Sequence, residues 1–151
     1  MEVIIRKNFH VAFDKLDDGG YNEIFFSTVT KKFNEIFNKL YSSNGAPIYL
    51  FGVGRGGHSL IISGIFKDLL SGVIDNDAKK WGQVINGISV LPPDVLMKNT
   101  EALVLVISEW SYEIEMQLSR MGIVNIINVM PIYSAYIKTL EGMVFETYIK
   151  K

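Results

Sequence analysis

Cysteine is absent from all 151 residues, which rules out disulfide staples and thiolate chemistry and suits a reducing compartment. With two histidines and no clustered carboxylates, no transition-metal site is expected. Neither sign of charge prevails: 15 basic and 16 acidic residues leave a net charge of -1. They are interspersed along the chain, so there is no field to recruit nucleic acid or an anionic membrane, and neither is expected as a partner. No apolar run approaches the roughly 20 residues of a membrane helix, and the opening MEVIIRKNFH does not read as a secretory signal. A cytoplasmic protein is the expectation. Internal repeats and low-complexity segments are also missing. What remains is a chain of globular composition, 48% hydrophobic and 21% charged, of the size of one domain with a real core.

The rest of the chain is organised around Ile48 to Leu60, IYLFGVGRGGHSL. An apolar run of buried-strand length meets Gly52, Gly54, Gly56 and Gly57, and from Ser59 a helical pattern begins. Strand, glycine turn and helix follow one another. Gly52, Gly54 and Gly57 fit G-x-G-x-x-G, in which glycines serve a tight turn, the approach of a phosphate to bare backbone, and close packing of helix on strand. Free N–H groups and the positive end of the helix dipole favour an anion there. An acid about 20 positions further on completes the context of the motif.

Before this turn, Val3 to Ile5 and the alternation of Phe9, Val11 and Phe13 read as an added strand or hairpin arm, with a turn at Asp17 to Gly20. Ile24, Phe25, Val29, Phe33, Ile36, Phe37 and Leu40 recur at three and four, an amphipathic helix. After the turn, Ile61, Ile62, Ile65, Phe66, Leu69 and Leu70 mark the first crossover helix. Gly72 to Ile74 is a short strand ending at Asp75, Asn76 and Asp77. Asn86-Gly87 is a turn signal before a strand at Ile88 to Leu91, which Pro92-Pro93 stops. Ala102 to Ile107 is an apolar run suited to a strand covered on both faces. Ile114, Met116, Leu118 and Met121 fall on a helix closed by Gly122. Val124 to Val129 gives a fifth strand, and Tyr133 to Lys151 a mixed helical or extended tail.

The fold class is therefore α/β: an open, mainly parallel five-stranded sheet of Rossmann-like type, with helices on both faces and an N-terminal helical appendage. Residues 1–45 form the N-terminal arm and helix, and 46–151 the nucleotide-binding domain. Ligands of such sheets sit beyond the carboxyl ends of the strands, where strand order reverses. Gly52 to His58, Asp75 to Asp77 and Ser108 to Ser111 are expected to converge on one cleft.

FGVGRGG, GVIDNDAKKWGQVINGISVLPPDVL and ALVLVISEWSYEIEMQLSRMG together resemble a small Rossmann-like domain of bacterial sugar-modifying enzymes. This region, about Pro47 to Pro131, is similar to the N-terminal domain of sugar-nucleotide N-acetyltransferases. It also resembles the C-terminal domain of sugar C-methyltransferases and modules attached to glycosyltransferases of surface-polysaccharide pathways. The resemblance implies a nucleotide or nucleotide-sugar at the glycine loop. The acetyltransferase and methyltransferase domains of those enzymes have no counterpart in these residues, so no catalytic residue is assigned.

Candidate binding residues follow from position. Gly52, Gly54 and Gly57 form the phosphate cradle, against the alternative that a turn from strand to helix simply needs glycine. Arg55 is placed to clamp a phosphate oxygen or to lie as a solvated loop cation. His58, in the first helical turn, is a neutral hydrogen-bonding group or an exposed helix start. Asp75 and Asp77 stand where an acid takes ribose hydroxyls, or they close the strand as an Asx turn. An acid there repels a 2′-phosphate, which disfavours NADP. Ser108, Glu109 and Trp110 end the fourth strand: Trp110 for stacking on a base or sugar or as a cap over the sheet end, Glu109 for accepting hydroxyl protons. Three functions fit: a nucleotide or nucleotide-sugar binding module of glycan metabolism, partnered with itself or with a transferase domain; an NAD-binding oxidoreductase or sensor; and a dimerising module without a ligand.

Overall fold

The structure, a computed structural model, describes residues 2–7, 27, 28, 31, 32, 34–36, 38, 39, 45–66, 69–139 and 145–150. The expected alternation at Phe9 to Phe13, the turn at Asp17 to Gly20 and most of the stripe from Ile24 to Leu40 lie outside those residues. Among the described residues the strands are β1 (Glu2–Lys7), β2 (Ile48–Phe51), β3 (Gly72–Ile74), β4 (Val84–Ile85), β5 (Ile88–Leu91), β6 (Leu103–Val106), β7 (Ile126–Asn128) and β8 (Phe145–Lys150). The helices are α1 (Arg55–Ser63), α2 (Ser111–Arg120) and α3 (Met130–Thr139), and the described residues between 27 and 39 are helical too. No helix among the described residues is long and apolar enough to cross a membrane.

The apolar runs become strands with both faces covered. Ile48 and Leu50 of β2, with Leu103 and Leu105 of β6, face one buried cluster. Tyr49, Phe51, Val104 and Val106 alternate into another. A period of two with no polar position is what a strand between two layers requires. The first layer receives Leu60 and Ile61 of α1, Ile132 of α3 and Ile36 of the N-terminal helical residues. The second receives Ile114 and Leu118 of α2 and Leu96 of the 3-10 helix Pro93–Lys98. Each large aliphatic side chain fully buried this way contributes about 1.5–3 kcal/mol.

The sheet runs β4-β5-β3-β2-β6-β7. Its pairs are parallel except for β4 on β5. From β2 the chain steps outward through β3 to β5, then crosses back to lay β6 and β7 on the other side of β2. The order of the five parallel strands, 3-2-1-4-5 in chain order, is that of an open doubly wound α/β sheet, with its switch point between β2 and β6.

Several local features differ from the sequence reading. A sixth strand, β4, joins the sheet through a hairpin at Asn86 (φ 50) and Gly87 (φ 81). Two positive φ values in succession define the type I′ turn that Asn-Gly favours, and a two-residue strand is too short to show a period. The apolar stripe from Ile61 to Leu70 outruns its helix: α1 stops at Ser63, where Gly64 (φ 81) sends its N–H back to the Ile61 carbonyl. Ile65 and Phe66 are therefore buried in a turn, and Ile62 lies exposed. Met97 and Met116 also face solvent. The strand expected at Val3 to Ile5 does form, as β1, and it pairs antiparallel with β8 of the tail in a separate two-stranded sheet.

Candidate functional site

The glycine turn divides its labour. Gly52 has φ +121, and a Cβ there would overlap the Ile107 carbonyl oxygen of the neighbouring segment. A Cβ on Gly57 would overlap the carbonyl oxygen of Gly52, so α1 can start this close to β2 only without one. Gly54 differs. Its φ is -76, and a Cβ would meet nothing within 4 Å. Neither backbone conformation nor internal packing calls for glycine at that position.

The amides of the turn are shared out between the protein and the space above it. Gly52 donates to the Ile74 carbonyl at 2.8 Å, and His58 to the Gly54 carbonyl at 2.9 Å. Val53 donates to Asp75 Oδ2 at 2.7 Å. Among the described residues no acceptor takes the N–H of Gly54, Gly56 or Gly57. These are the unsatisfied donors that the first turn of any helix leaves, at the positive end of its dipole.

Above them opens a cleft of about 750 Å³ at the carboxyl ends of β2 and β6, lined by Gly52, Gly54, Arg55 and Gly56 in the middle. One side comes from the loop after β3, with Asp75, Asn76 and Lys80. The other comes from the ends of β6 and β7 and the helices they lead into, with Ser108, Glu109, Trp110, Glu113, Tyr133 and Ser134. Gln117 of α2 reaches across to the first side.

The β3 side is knitted to the protein. Asp75 was expected to meet a ribose; its Oδ2 holds the Val53 N–H, and its Oδ1 accepts from the Asp77 N–H at 2.8 Å. An ionised carboxylate has about four acceptor sites, so Asp75, which also lines the cleft, keeps capacity for a ligand hydroxyl. Lys80 Nζ donates to the Val53 carbonyl at 3.1 Å and lies 3.8 Å from Asp75 Oδ2. Trp81 Nε1 donates to the Asp75 carbonyl at 2.7 Å. Asp77 accepts from the Lys79 N–H at 3.0 Å, capping the 3-10 helix Ala78–Lys80. Asn76 and Gln117 exchange two side-chain amide hydrogen bonds, each of 2.9 Å.

The β6 side is open. Ser108 Oγ accepts the Trp110 N–H at 3.0 Å, turning the chain into α2. Trp110 is left 67% exposed. The Tyr133 ring stands against Gly56, where a Cβ would come within 3.2 Å of it.

Of the ten residues named from sequence, Gly52, Gly54, Arg55, Asp75, Ser108, Glu109 and Trp110 line the cleft. Gly57 is buried beneath the turn. Asp77 and His58 are exposed and do not line the cleft. Lys80, Glu113, Gln117, Tyr133 and Ser134 line it too and were not named, while Asn76 was expected there only as part of the Asp75 to Asp77 loop. Trp110, Glu113 and Gln117 are spaced three and four apart and share a helix face, a signal that was available. Lys80 and Tyr133 have no such pattern: the 3-10 turn after β3 and the packing of α3 bring them in.

The fold and this cleft define an open doubly wound α/β domain with a glycine turn at its switch point. No family model matches the chain, and no curated protein matches it. Among solved structures it is similar to RSP, a Rex-family repressor. To RSP in complex with β-NADH the identity is 18% and the TM-score 0.43, over 64% of this chain and 61% of that one. It is also similar to UDP-D-quinovosamine 4-dehydrogenase from Vibrio fischeri, at 16% identity and a TM-score of 0.45, over 69% of this chain and 93% of that one. The chain thus spans under two thirds of the RSP chain, and the likeness in each case is one of fold.

Proposed function

We propose that this chain binds a soluble nucleotide through its diphosphate, as a nucleotide or nucleotide-sugar binding module of glycan metabolism in the bacterial cytoplasm, with no chemistry of its own assigned. The observation that carries this reading is Gly54. It lines the middle of the cleft, between two glycines that packing demands, and packing does not demand it. A bare backbone beside the N–H groups of Gly54 and Gly56, which no described residue accepts, suits the close approach of a phosphate. Arg55 at the head of α1 and Lys80 across the turn add positive charge to the same middle stretch of the cleft.

A second reading, an NAD(H)-binding oxidoreductase or sensor, is favoured by Asp75. This acid follows the strand beside β2 and lines the cleft, where a ribose hydroxyl would meet it. Partnership with a second copy or with a transferase domain completes the proposal.

Isothermal titration with UDP-, dTDP- and GDP-sugars and with NAD(H), on the wild type and on Gly54→Ala, is the test. Saturable heat with one class, abolished by Gly54→Ala in a protein that still melts as the wild type does, is the expected result. No heat with any of them at millimolar concentration overturns the reading. Tighter binding of NADH than of every nucleotide-sugar selects the second reading, and light scattering reports the oligomeric state.

A further inference from the structure

The two sides of the cleft carry opposite electrostatics. The middle and the β3 side hold Arg55 and Lys80, and Asp75 there is answered by Lys80 and by two backbone amides. The β6 side holds Glu109 and Glu113, both exposed, and among the described residues no cation or other donor lies within bonding distance of either. Between them Trp110 presents an exposed indole, and Ser134 adds a hydroxyl to the same end.

Resting on the diphosphate reading, we propose that this end of the cleft is a subsite for a neutral, hydroxyl-bearing ring of the ligand, and that Glu109 and Glu113 select it against rings bearing a carboxylate. With phosphates on the glycine turn in the middle of the cleft, a ring beyond them meets one of its two sides, and the β6 side is the one whose acid and aromatic groups stand open. An aromatic face packs against the apolar face of a sugar ring. Two ionised carboxylates accept hydrogen bonds from its hydroxyls. The same pair repels an acidic ring, and because both are exposed the repulsion is screened by salt.

The test is titration calorimetry with UDP, UDP-glucose and UDP-glucuronate, on the wild type, on the Glu109→Gln, Glu113→Gln double variant and on Gly54→Ala. Glutamine keeps size and an acceptor oxygen and removes the charge. UDP-glucose is expected to bind about tenfold more tightly than UDP-glucuronate in the wild type at low salt, as two nearby like charges allow. In the double variant the ratio is expected to fall to about threefold or less, with an unchanged melting temperature. Equal affinities in the wild type, or a ratio the double variant does not change, overturn the subsite. The diphosphate reading then stands if Gly54→Ala still abolishes UDP binding. No heat from UDP or from either sugar overturns both.

Discussion

The loops after β3 and β6 leave the same edge of the sheet on either side of the glycine turn, yet their polar groups do different things. After β3, Asp75, Asp77, Lys80 and Trp81 each bond to a backbone group of the turn or of the loop itself. After β6, only Ser108 does so, while Glu109 and Trp110 stand in solvent. One loop is bonded to the glycine turn, and the other leaves its acid and its indole open to solvent. The difference teaches that an acid at a strand's carboxyl end need not be a ligand contact first: Asp75 accepts an amide of the glycine turn before anything else reaches it.

Substitutions can break this contrast. The largest effect is expected at Gly57→Ala, where the new methyl collides with the Gly52 carbonyl. Since backbone must move on both sides, a loss of about 4 kcal/mol or outright failure to fold should appear in urea denaturation. Next comes Asp75→Ala. It strands the Val53 and Asp77 N–H groups and takes a counter-charge from Lys80, at about 1–3 kcal/mol for the buried donor. A variant as stable as the wild type that had lost its ligand would reverse the roles assigned to the two loops.

Gly54→Ala should sharpen the contrast within the turn itself. Alanine is a poorer helix N-cap than glycine but lowers the entropy of the unfolded chain, so stability should stay within about 1 kcal/mol. Nucleotide affinity should fall more than tenfold by calorimetry. Smallest in stability is Trp110→Ala, expected within about 0.5 kcal/mol because the indole is mostly solvated. Its affinity for a nucleotide-sugar should still fall severalfold, with a matching loss of ligand-induced change in tryptophan emission.

Much of the frame was legible from periodicity. The unbroken apolar runs at Ile48 to Phe51 and Ala102 to Ile107 specified strands between two layers. The glycine spacing located the turn from strand to helix. Pairing those with the rule for open sheets brought three loops to one edge, and they do converge on one cleft. Other features left no periodic trace. The stripe from Ile61 to Leu70 reads as one helix, but a single left-handed residue at Gly64 ends it early, and apolar residues in a turn look the same as those in a helix. Asp75 reads equally well as a ribose acceptor and as an Asx turn. Its distance to Val53 decides which atoms it holds, and that distance spans 22 positions of sequence.

The sequence by itself determined which segments are buried on both faces and where the backbone must turn without a Cβ, because these are properties of local spacing and side-chain size. Only the tertiary structure decided which glycine is needed for packing and which is not, and which polar groups around the cleft already have partners. Those answers depend on atoms from β2, β3, β6 and α3 meeting at one point, and hydrogen bonds and steric overlap act over a few ångströms between segments far apart in the chain.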